Sequence, residues 1–500
     1  MLVIRIHCKR IILDILACLV VFSSFAQSDV VREIRRINTP GIGLAPLRFL
    51  ASDELMGRAT TRPEINIAAR YISEAYRSMG LRECPGTSDY FQNFDIKMVT
   101  PATTGMFSVD NSSYNVGNDV LQINGGDTKL TAPVVFAGFG SKEDLDKLDI
   151  KGKIVVTNMG ASDSSSFMEG FHLIKTKQKL IADRGGVALI ERFKPGDRPW
   201  SLLQQHFMGE RPQSEDASTF ETFIINDTAA SLLKTLQNKT VNGSINITGT
   251  KVITIQAKNV MGWVEGTDAK LKNQFIVLSA HYDHLGVATY PKMEEGKLDS
   301  IYNGARDNAI GTTAVIDAAR YFVQHPAKRP ILFIAYTGEE MGELGSKYFA
   351  AHPVIALKQL VFNLNIDNGG YNDTSAVTLI GLGRTSADDD IKKAAVAFHL
   401  KLLGDPAPEQ DFFDRSDNVN LAEKGVPAPT YGLGVDKLDE EVMKRYHQLS
   451  DEVGNFDLKY AIKFIHSYIL AAKNIADDIK QPAWTKGDKY EPAWLQLNKK

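Results

Sequence analysis

The sequence predicts an α/β protein, a three-layer α/β/α sandwich with a mixed central sheet that carries an inserted β-rich domain. Three continuous apolar runs are typical of central strands buried on both faces: 275–280 (FIVLSA), 331–337 (ILFIAYT) and 360–367 (LVFNLNID). Segments with apolar residues at helical spacing alternate with these runs, among them AVIDAARYFVQH and KYAIKFIHSYILAAKNIADDI. Strands that alternate with helices favour a sheet covered by helices on both faces.

The predicted insertion begins at about residue 107, where short β-rich runs such as PVVFAGFG, GKIVVTNMG and KVITIQAKNV replace the helical pattern. Alternation of strand and helix returns at residue 258. The sequence therefore predicts five segments: a signal peptide 1–26, a first part of the main domain 27–106, an inserted domain 107–257, a second part of the main domain 258–481, and a polar tail 482–500.

The N-terminus has the features of a secretory signal. Arg5, Lys9 and Arg10 give it a basic start, a mostly apolar run extends from 11 to 25, and Ser24-Phe25-Ala26 is a small-x-small cleavage site. We expect cleavage after Ala26, export to the periplasm or the extracellular space, and no stable membrane span afterwards. An uncleaved membrane anchor is the alternative, but the apolar run is short for one.

Composition narrows the function classes. The formal net charge is −3 and no long run of one sign is present, which argues against nucleic acid or an anionic membrane as partner. After loss of the signal peptide only Cys84 remains, so no internal disulfide can form. The exported fold must then be stabilised by its core and by any metal ions.

Imidazoles and carboxylates follow the ends of the predicted central strands. Open α/β sheets place ligands at the carboxyl ends of their strands, and these side chains are the donors that zinc prefers. Neighbouring residues point apart, so the adjacent Glu339 and Glu340 should have different surroundings. The candidate residues, in chain order, are His281, Asp283, Asp307, Glu339, Glu340, Asp367 and His447.

Five blocks around these residues resemble, in the same order, the co-catalytic di-zinc aminopeptidases, a family related to glutamate carboxypeptidase and glutaminyl cyclase. The blocks are SAHYDHLG, GARDNAIGT, AYTGEEMGELGS, LNIDNGG and YHQLSDE. The early segment SDELMGR also matches, and the inserted part resembles the protease-associated domain that many members carry. The resemblance implies a metallo-exopeptidase that removes N-terminal residues from peptide substrates with two Zn²⁺ ions per chain.

The resemblance also implies a role for each ligand. Asp307 would bridge the two zinc ions. His281 and Asp367 would complete the ligands of one ion, and Glu340 and His447 those of the other.

Three further residues have implied catalytic roles. Glu339 would be the general base that acts on a water shared by the two metals. Asp283 fits a carboxylate that orients the imidazole of His281. Tyr446 matches a position that hydrogen-bonds the tetrahedral oxyanion in relatives.

The chain departs from the family pattern at two positions. Arg306 stands where an acidic residue usually precedes the bridging aspartate, and Asn418 stands where many members have histidine. Both changes leave the ligand set intact. His284, in the same block as His281, is not expected to be a ligand.

Other activities of the same fold remain alternatives. A carboxypeptidase would need an arginine for the terminal carboxylate, and Arg306, Arg384 and Arg415 lie in or near the matched blocks. A glutaminyl-cyclase-like enzyme would use a single zinc ion, whereas five ligands are present here. A non-catalytic, receptor-like binding protein would be expected to have lost ligands.

Overall fold

The computed structural model of the chain describes residues 28–499 except 194–198, 214–219, 228, 229, 238 and 295. The predicted signal peptide 1–26 lies outside the described residues. Within them, no helix is both long and apolar enough to cross a membrane. The fold consists of two compact units: unit 1 comprises the chain up to Phe94 and from Gln256 onward, and unit 2 is Asp95–Ile255.

Unit 1 is built on one mixed sheet with the strand order β18–β17–β19–β16–β12–β15–β11–β1. Neighbours β15, β12, β16 and β19 are parallel, whereas β11 pairs antiparallel with β15 and β17 antiparallel with β19. A separate hairpin pairs β13 with β14. The strands are β1 Phe91–Thr100, β11 Lys251–Val264, β12 Phe275–His281, β13 Gly286–Glu294, β14 Lys297–Tyr302, β15 Ile331–Tyr336, β16 Leu360–Ile366, β17 Ala376–Ile380, β18 Lys401–Leu403 and β19 Thr430–Leu433.

Helices cover both faces of this sheet. On one face Ile276 and Leu278 of β12 pack in a core with the long helices α9 and α14, and on the other Phe275 and Val277 pack with α10 and α12. The helices of unit 1 are α1 28–37, α2 Pro40–Gly43, α3 Ala45–Leu50, α4 Ile65–Met79, α9 Ile310–Gln324, α10 Leu344–Ala351, α11 Asp388–Ala397, α12 Asn418–Ala422, α13 Glu440–Met443, α14 Leu458–Asp477 and α15 Glu491–Leu497. The predicted three-layer α/β/α sandwich with a mixed sheet is thus confirmed.

Local sequence explains these elements. Every residue of β12, β15 and β16 is buried, as the continuous apolar runs predict. Helix α14 begins after Asp457, whose side chain accepts hydrogen bonds from the main-chain amides of Lys459 and Tyr460 and so caps the helix. Because β12, β15 and β16 are parallel, the residues that follow them meet at one edge of the sheet.

Unit 2 is the β-rich insertion. Its sheet has the order β3–β2–β10–β5–β6–β7–β9–β4, and an apolar core lies on each face. A buried ion pair joins Lys177 and Glu191 at 3.1 Å. The elements are β2 Thr104–Val109, β3 Ser112–Asn115, β4 Val120–Asn124, β5 Thr128–Phe136, α5 Lys142–Leu145, β6 Ile154–Asn158, α6 Phe167–Ala182, β7 Ala188–Arg192, α7 Trp200–Phe207, β8 Arg211–Pro212, β9 Thr222–Ile225, α8 Ser231–Leu236 and β10 Val241–Thr248.

Unit 2 begins ahead of the predicted insertion 107–257 and ends close to its predicted end. Unit 2 starts at Asp95, ahead of the predicted 107, because the second half of β1 pairs with β8 inside unit 2, Met98 opposite Pro212. The tail 482–500 contains α15, and Trp484 is buried in a core of unit 1 that also includes Phe413.

Candidate metal centre

The ends of three parallel strands bring the first candidate residues together. His281 is the last residue of β12, Asp367 follows β16, and Glu339 and Glu340 follow β15. These strands lie side by side in the order β16–β12–β15, which sets the three groups at one edge.

Two further candidates reach this edge from loops. Asp307 lies in a turn, Ala305–Ala309, that leads into α9. The peptide bond between Asp307 and Asn308 is cis, and the Asn308 side chain donates to the carbonyl of Ile366 at 2.8 Å. His447 lies beyond α13 with a positive φ of 55°, a conformation uncommon for residues with a side chain. A positive φ at such a residue is typical of functional sites.

Asp307 joins two groups of donors. The Nε2 of His281 lies 3.2 Å from Asp367 Oδ1 and 3.3 Å from Asp307 Oδ1. The Nε2 of His447 lies 3.1 Å from Asp307 Oδ2 and 3.2 Å from Glu340 Oε2. Each carboxylate oxygen of Asp307 therefore faces one imidazole and one further carboxylate.

His284 lies inside the same cluster, which the sequence did not lead us to expect. Its side chain is fully buried, and Nδ1 lies 2.7 Å from Glu340 Oε1 and 4.0 Å from Asp307 Oδ1. Its Nε2 is buried and has no hydrogen-bond partner among the described side and main chains. Glu340 is thus held by an imidazole on each oxygen, by His284 on Oε1 and by His447 on Oε2. The spacing of two histidines in HYDH is the sequence signal for this arrangement.

The imidazoles of the cluster are drawn toward the charged state by the carboxylates. Burial lowers the pKa of His281, but hydrogen bonds to Asp307 and Asp367 outweigh it and raise the pKa well above its ordinary value. Burial likewise lowers the pKa of His447, and hydrogen bonds to Asp307 and Glu340 raise it to about 10. The centre therefore attracts positive charge, as a cation site must.

The pKa values of the adjacent Glu339 and Glu340 shift in opposite directions. Burial raises the pKa of Glu339 well above its ordinary value, against the charge of His281, and Asp367 and Glu340 raise it further. Burial and the charge of Asp307 also raise the pKa of Glu340, but hydrogen bonds with His284 and His447 bring it down to about 2. One glutamate is thus suited to take up a proton and the other to remain an anionic donor.

The part of the chain that contains the cluster is similar to known proteins. The sequence model of peptidase family M28 matches residues 259–471, which include every residue of the cluster. Residues 259–471 are therefore similar to peptidase family M28. Aminopeptidase YwaD of Bacillus subtilis strain 168 is 24% identical over 325 residues, 65% of this chain and 62% of that protein. The vacuolar membrane protease of Phaeosphaeria nodorum is 23% identical over 228 residues, 45% of this chain and 21% of that protein.

The fold is also similar to that of a solved structure. The aminopeptidase from Aneurinibacillus sp. strain AM-1 superposes with a TM-score of 0.59 at 20% identity, over 89% of this chain and 96% of that one. The chain spans less than two thirds of the length of both curated relatives.

Asp283 connects two loops beside the cluster. Its carboxylate accepts a hydrogen bond from Thr60 at 2.9 Å and one from the amide of Glu339 at 3.3 Å. The Nδ1 of His281 is 3.3 Å from the main-chain oxygen of Asp283 and 3.8 Å from its carboxylate. The His281 ring is therefore oriented mainly by the backbone at Asp283, and the carboxylate fixes the loop that carries Glu339.

Tyr446 lines a cleft of about 250 Å³ that opens onto the cluster. Its ring stacks on that of His447 with centroids 4.0 Å apart. Burial and the charge of Asp307 raise the pKa of its hydroxyl, so the phenol stays protonated and able to donate.

Arg58, to which the sequence assigns no role, contacts the loops of the cluster. Its guanidinium is completely buried and donates to five main-chain carbonyls, those of Leu50, Tyr282, Asn303, Gly304 and Asp307. Burial lowers its pKa to about 10, and the carboxylates of Asp307 and Asp283 oppose that shift. Arg58 thereby ties the loop after β12 to the turn that carries Asp307.

The two departures from the family pattern have structural partners. Arg306 donates to Asp451 at 2.9 Å, and the same carboxylate accepts from the amides of Arg306 and Asp307. Asn418 is buried and donates to the carbonyls of Phe413 and Ala428. Arg306 thus helps to hold the turn at Asp307, and Asn418 holds the loop before β19.

Proposed function

We propose that the chain is an exported zinc aminopeptidase that hydrolyses N-terminal residues from peptides at a centre of two Zn²⁺ ions. The observation that carries this proposal is the position of Asp307, whose two oxygens each face one imidazole and one further carboxylate. Such a carboxylate is suited to bridge two cations. The match to family M28 over residues 259–471 supports the same activity.

The donors fit zinc. Each side of Asp307 offers one imidazole nitrogen and one carboxylate besides the shared one, and zinc binds both ligand types. His281 and Asp367 would hold one ion, and His447 and Glu340 the other. His284, whose Nδ1 lies 2.7 Å from Glu340 Oε1, would orient that ligand.

The chain supplies the proton transfer. Two bound zinc ions would polarise the substrate carbonyl and lower the pKa of a water molecule. Glu339, whose pKa is raised by burial, would accept the proton from that water and pass it to the leaving amine. Tyr446 would donate a hydrogen bond to the oxygen on which charge develops.

Unit 2 and the N-terminus complete the proposal. We infer that unit 2, an eight-stranded mixed sheet inserted ahead of His281, is a protease-associated-like domain. The sequence of the first 26 residues supports export by a cleaved signal peptide.

Metal analysis and paired substrates test the activity. The purified mature protein should contain about two zinc ions per chain and lose activity in a chelator. A short peptide should be cleaved from its N-terminus, its N-acetylated form should resist, and its C-terminal amide should still be cleaved.

Two results would contradict the proposal. Full activity in a sample shown to be free of metal would exclude the zinc mechanism. Cleavage of the acetylated peptide together with resistance of the amide would make the enzyme a carboxypeptidase.

A further inference from the structure

The arginines near the centre differ in whether they already have partners. Arg306 is paired with Asp451 at 2.9 Å. Arg384 donates to both oxygens of Asp488, at 2.7 and 3.1 Å. Neither guanidinium is therefore available to a substrate. Arg415 is the third arginine that the sequence placed near the matched blocks.

Arg415 lies on the wall of the catalytic cleft. It follows the helical turn Phe412–Asp414 and lines the same cleft as Glu339, Asp367 and Tyr446. Its guanidinium carbon lies 5.5 Å from the centre of the Phe412 ring. Within the described ranges its guanidinium has no hydrogen bond and no ion pair, and its charge acts on the Tyr446 hydroxyl.

The cleft wall around Arg415 is mostly apolar or acidic. Apolar side chains form much of it, among them Ile380, Leu433, Val435 and Met443. The acidic groups of the lining are Asp307, Glu339, Glu340 and Asp367, which the proposed centre uses as metal donors and base. Two divalent ions would neutralise the charge of these four carboxylates. No acidic group of the described lining would then remain to neutralise the charge of Arg415.

We propose that Arg415 binds a carboxylate of the substrate and is therefore a specificity-determining residue. The carboxylate would be either the terminal carboxylate of a dipeptide or an acidic side chain next to the cleaved bond. This inference rests on the proposed peptidase activity. A guanidinium presents a planar fork that binds a carboxylate through two parallel hydrogen bonds, and the Phe412 ring limits the positions that the fork can take.

Two matched substrate pairs separate the two sources of the carboxylate. Leu-Leu against Leu-Leu-amide measures the terminal carboxylate, and Glu-p-nitroanilide against Leu-p-nitroanilide measures the acidic side chain. The kcat/KM of each substrate is measured for the zinc-loaded wild-type enzyme, Arg415→Ala, Arg415→Lys and Arg36→Ala. Arg36 is an exposed arginine outside the cleft, paired with Glu33 at 2.8 Å, and serves as the control.

One ratio of charged to neutral substrate should fall about tenfold in Arg415→Ala, mainly through KM, because a charge-assisted hydrogen bond is lost from an exposed side chain. Arg415→Lys should recover part of the loss, and added salt should weaken the wild-type preference. Arg36→Ala should leave both ratios unchanged. A fall in the first ratio identifies the terminal carboxylate, and a fall in the second identifies the acidic side chain.

The inference is overturned if both ratios in Arg415→Ala equal those of the wild type while the variant binds zinc and cleaves Leu-p-nitroanilide. That result would leave the proposed peptidase activity standing. Failure of the zinc-loaded wild type to cleave any of the four substrates would instead overturn both proposals.

Discussion

Replacement of Arg58 by lysine tests how the centre is held in place. The guanidinium donates to five carbonyl oxygens from three stretches of chain, at 2.9 Å to Tyr282, 3.1 Å to Leu50 and 2.8 Å to Gly304, with Asn303 and Asp307 as the other acceptors. A lysine ammonium keeps the charge but has only three donors. At least two of the carbonyls must then lose their partner in a site without solvent.

The size of the effect follows from these lost bonds. Each buried hydrogen bond from a charged group contributes about 1.5 kcal/mol or more, so we expect Arg58→Lys to lower the free energy of unfolding by about 3 kcal/mol. Because the bonds join the loop after His281 to the turn that carries Asp307, we also expect zinc affinity to fall about 10- to 100-fold.

Urea unfolding of chelator-treated protein measures the first quantity, and zinc competition with a chromophoric chelator measures the second. Arg36→Lys, on an exposed side chain, is the matched control and should change neither. Wild-type stability in Arg58→Lys would refute the energetic argument. A loss of stability with unchanged zinc affinity would show that Arg58 does not position the donors.

Three other perturbations have defined outcomes. Glu339→Gln should keep both metals and lose about 10²- to 10⁴-fold in kcat, whereas Glu340→Gln should lose zinc from one site. Metal analysis and turnover measurements check both outcomes. The reverse result would show that Glu340 is the base and Glu339 the ligand. His284→Phe removes the 2.7 Å contact to Glu340 and should weaken zinc at one of two sites by about 10- to 100-fold, and titration that shows two unchanged sites would contradict this. Burial raises the pKa of Glu191 to about 7, although the charge of Lys177 opposes this shift. The folded state therefore holds a proton that the unfolded state releases near pH 4.5. The free energy of unfolding of unit 2 should then fall by as much as about 3 kcal/mol as pH rises from 4.5 to 7. Hydrogen exchange in β6 and β7 should show this decrease in the wild type and not in Glu191→Gln.

Much of the candidate centre was predictable from sequence because its side chains stand at fixed places relative to buried strands. His281 ends β12 and Asp367 follows β16, so the apolar runs that predict the strands also predict where these side chains meet. The split between Glu339 and Glu340 follows from the alternation of neighbouring side chains.

Contacts between distant segments could not be predicted in the same way. Arg58 acts through carbonyls about 8 to 249 positions away along the chain, and a main-chain acceptor leaves no mark in the sequence. His284 differs from an ordinary buried histidine only in its position next to Glu340. That position depends on the exact path of the loop. The start of unit 2 has no mark in the sequence because β1 runs through it without a turn.

The two crossings between the units lie on neighbouring strands of unit 1. The chain leaves unit 1 after Phe94 on β1 and returns at Gln256 on β11, and these strands are neighbours, with the amide of Met261 donating to the carbonyl of Tyr90 at 2.8 Å. A short linker could close that gap, and the entropy cost of loop closure grows only slowly with length. Every metal donor proposed here is encoded after Gln256, so recombination could remove, lengthen or exchange the inserted segment in one event and leave the coding order of the centre intact.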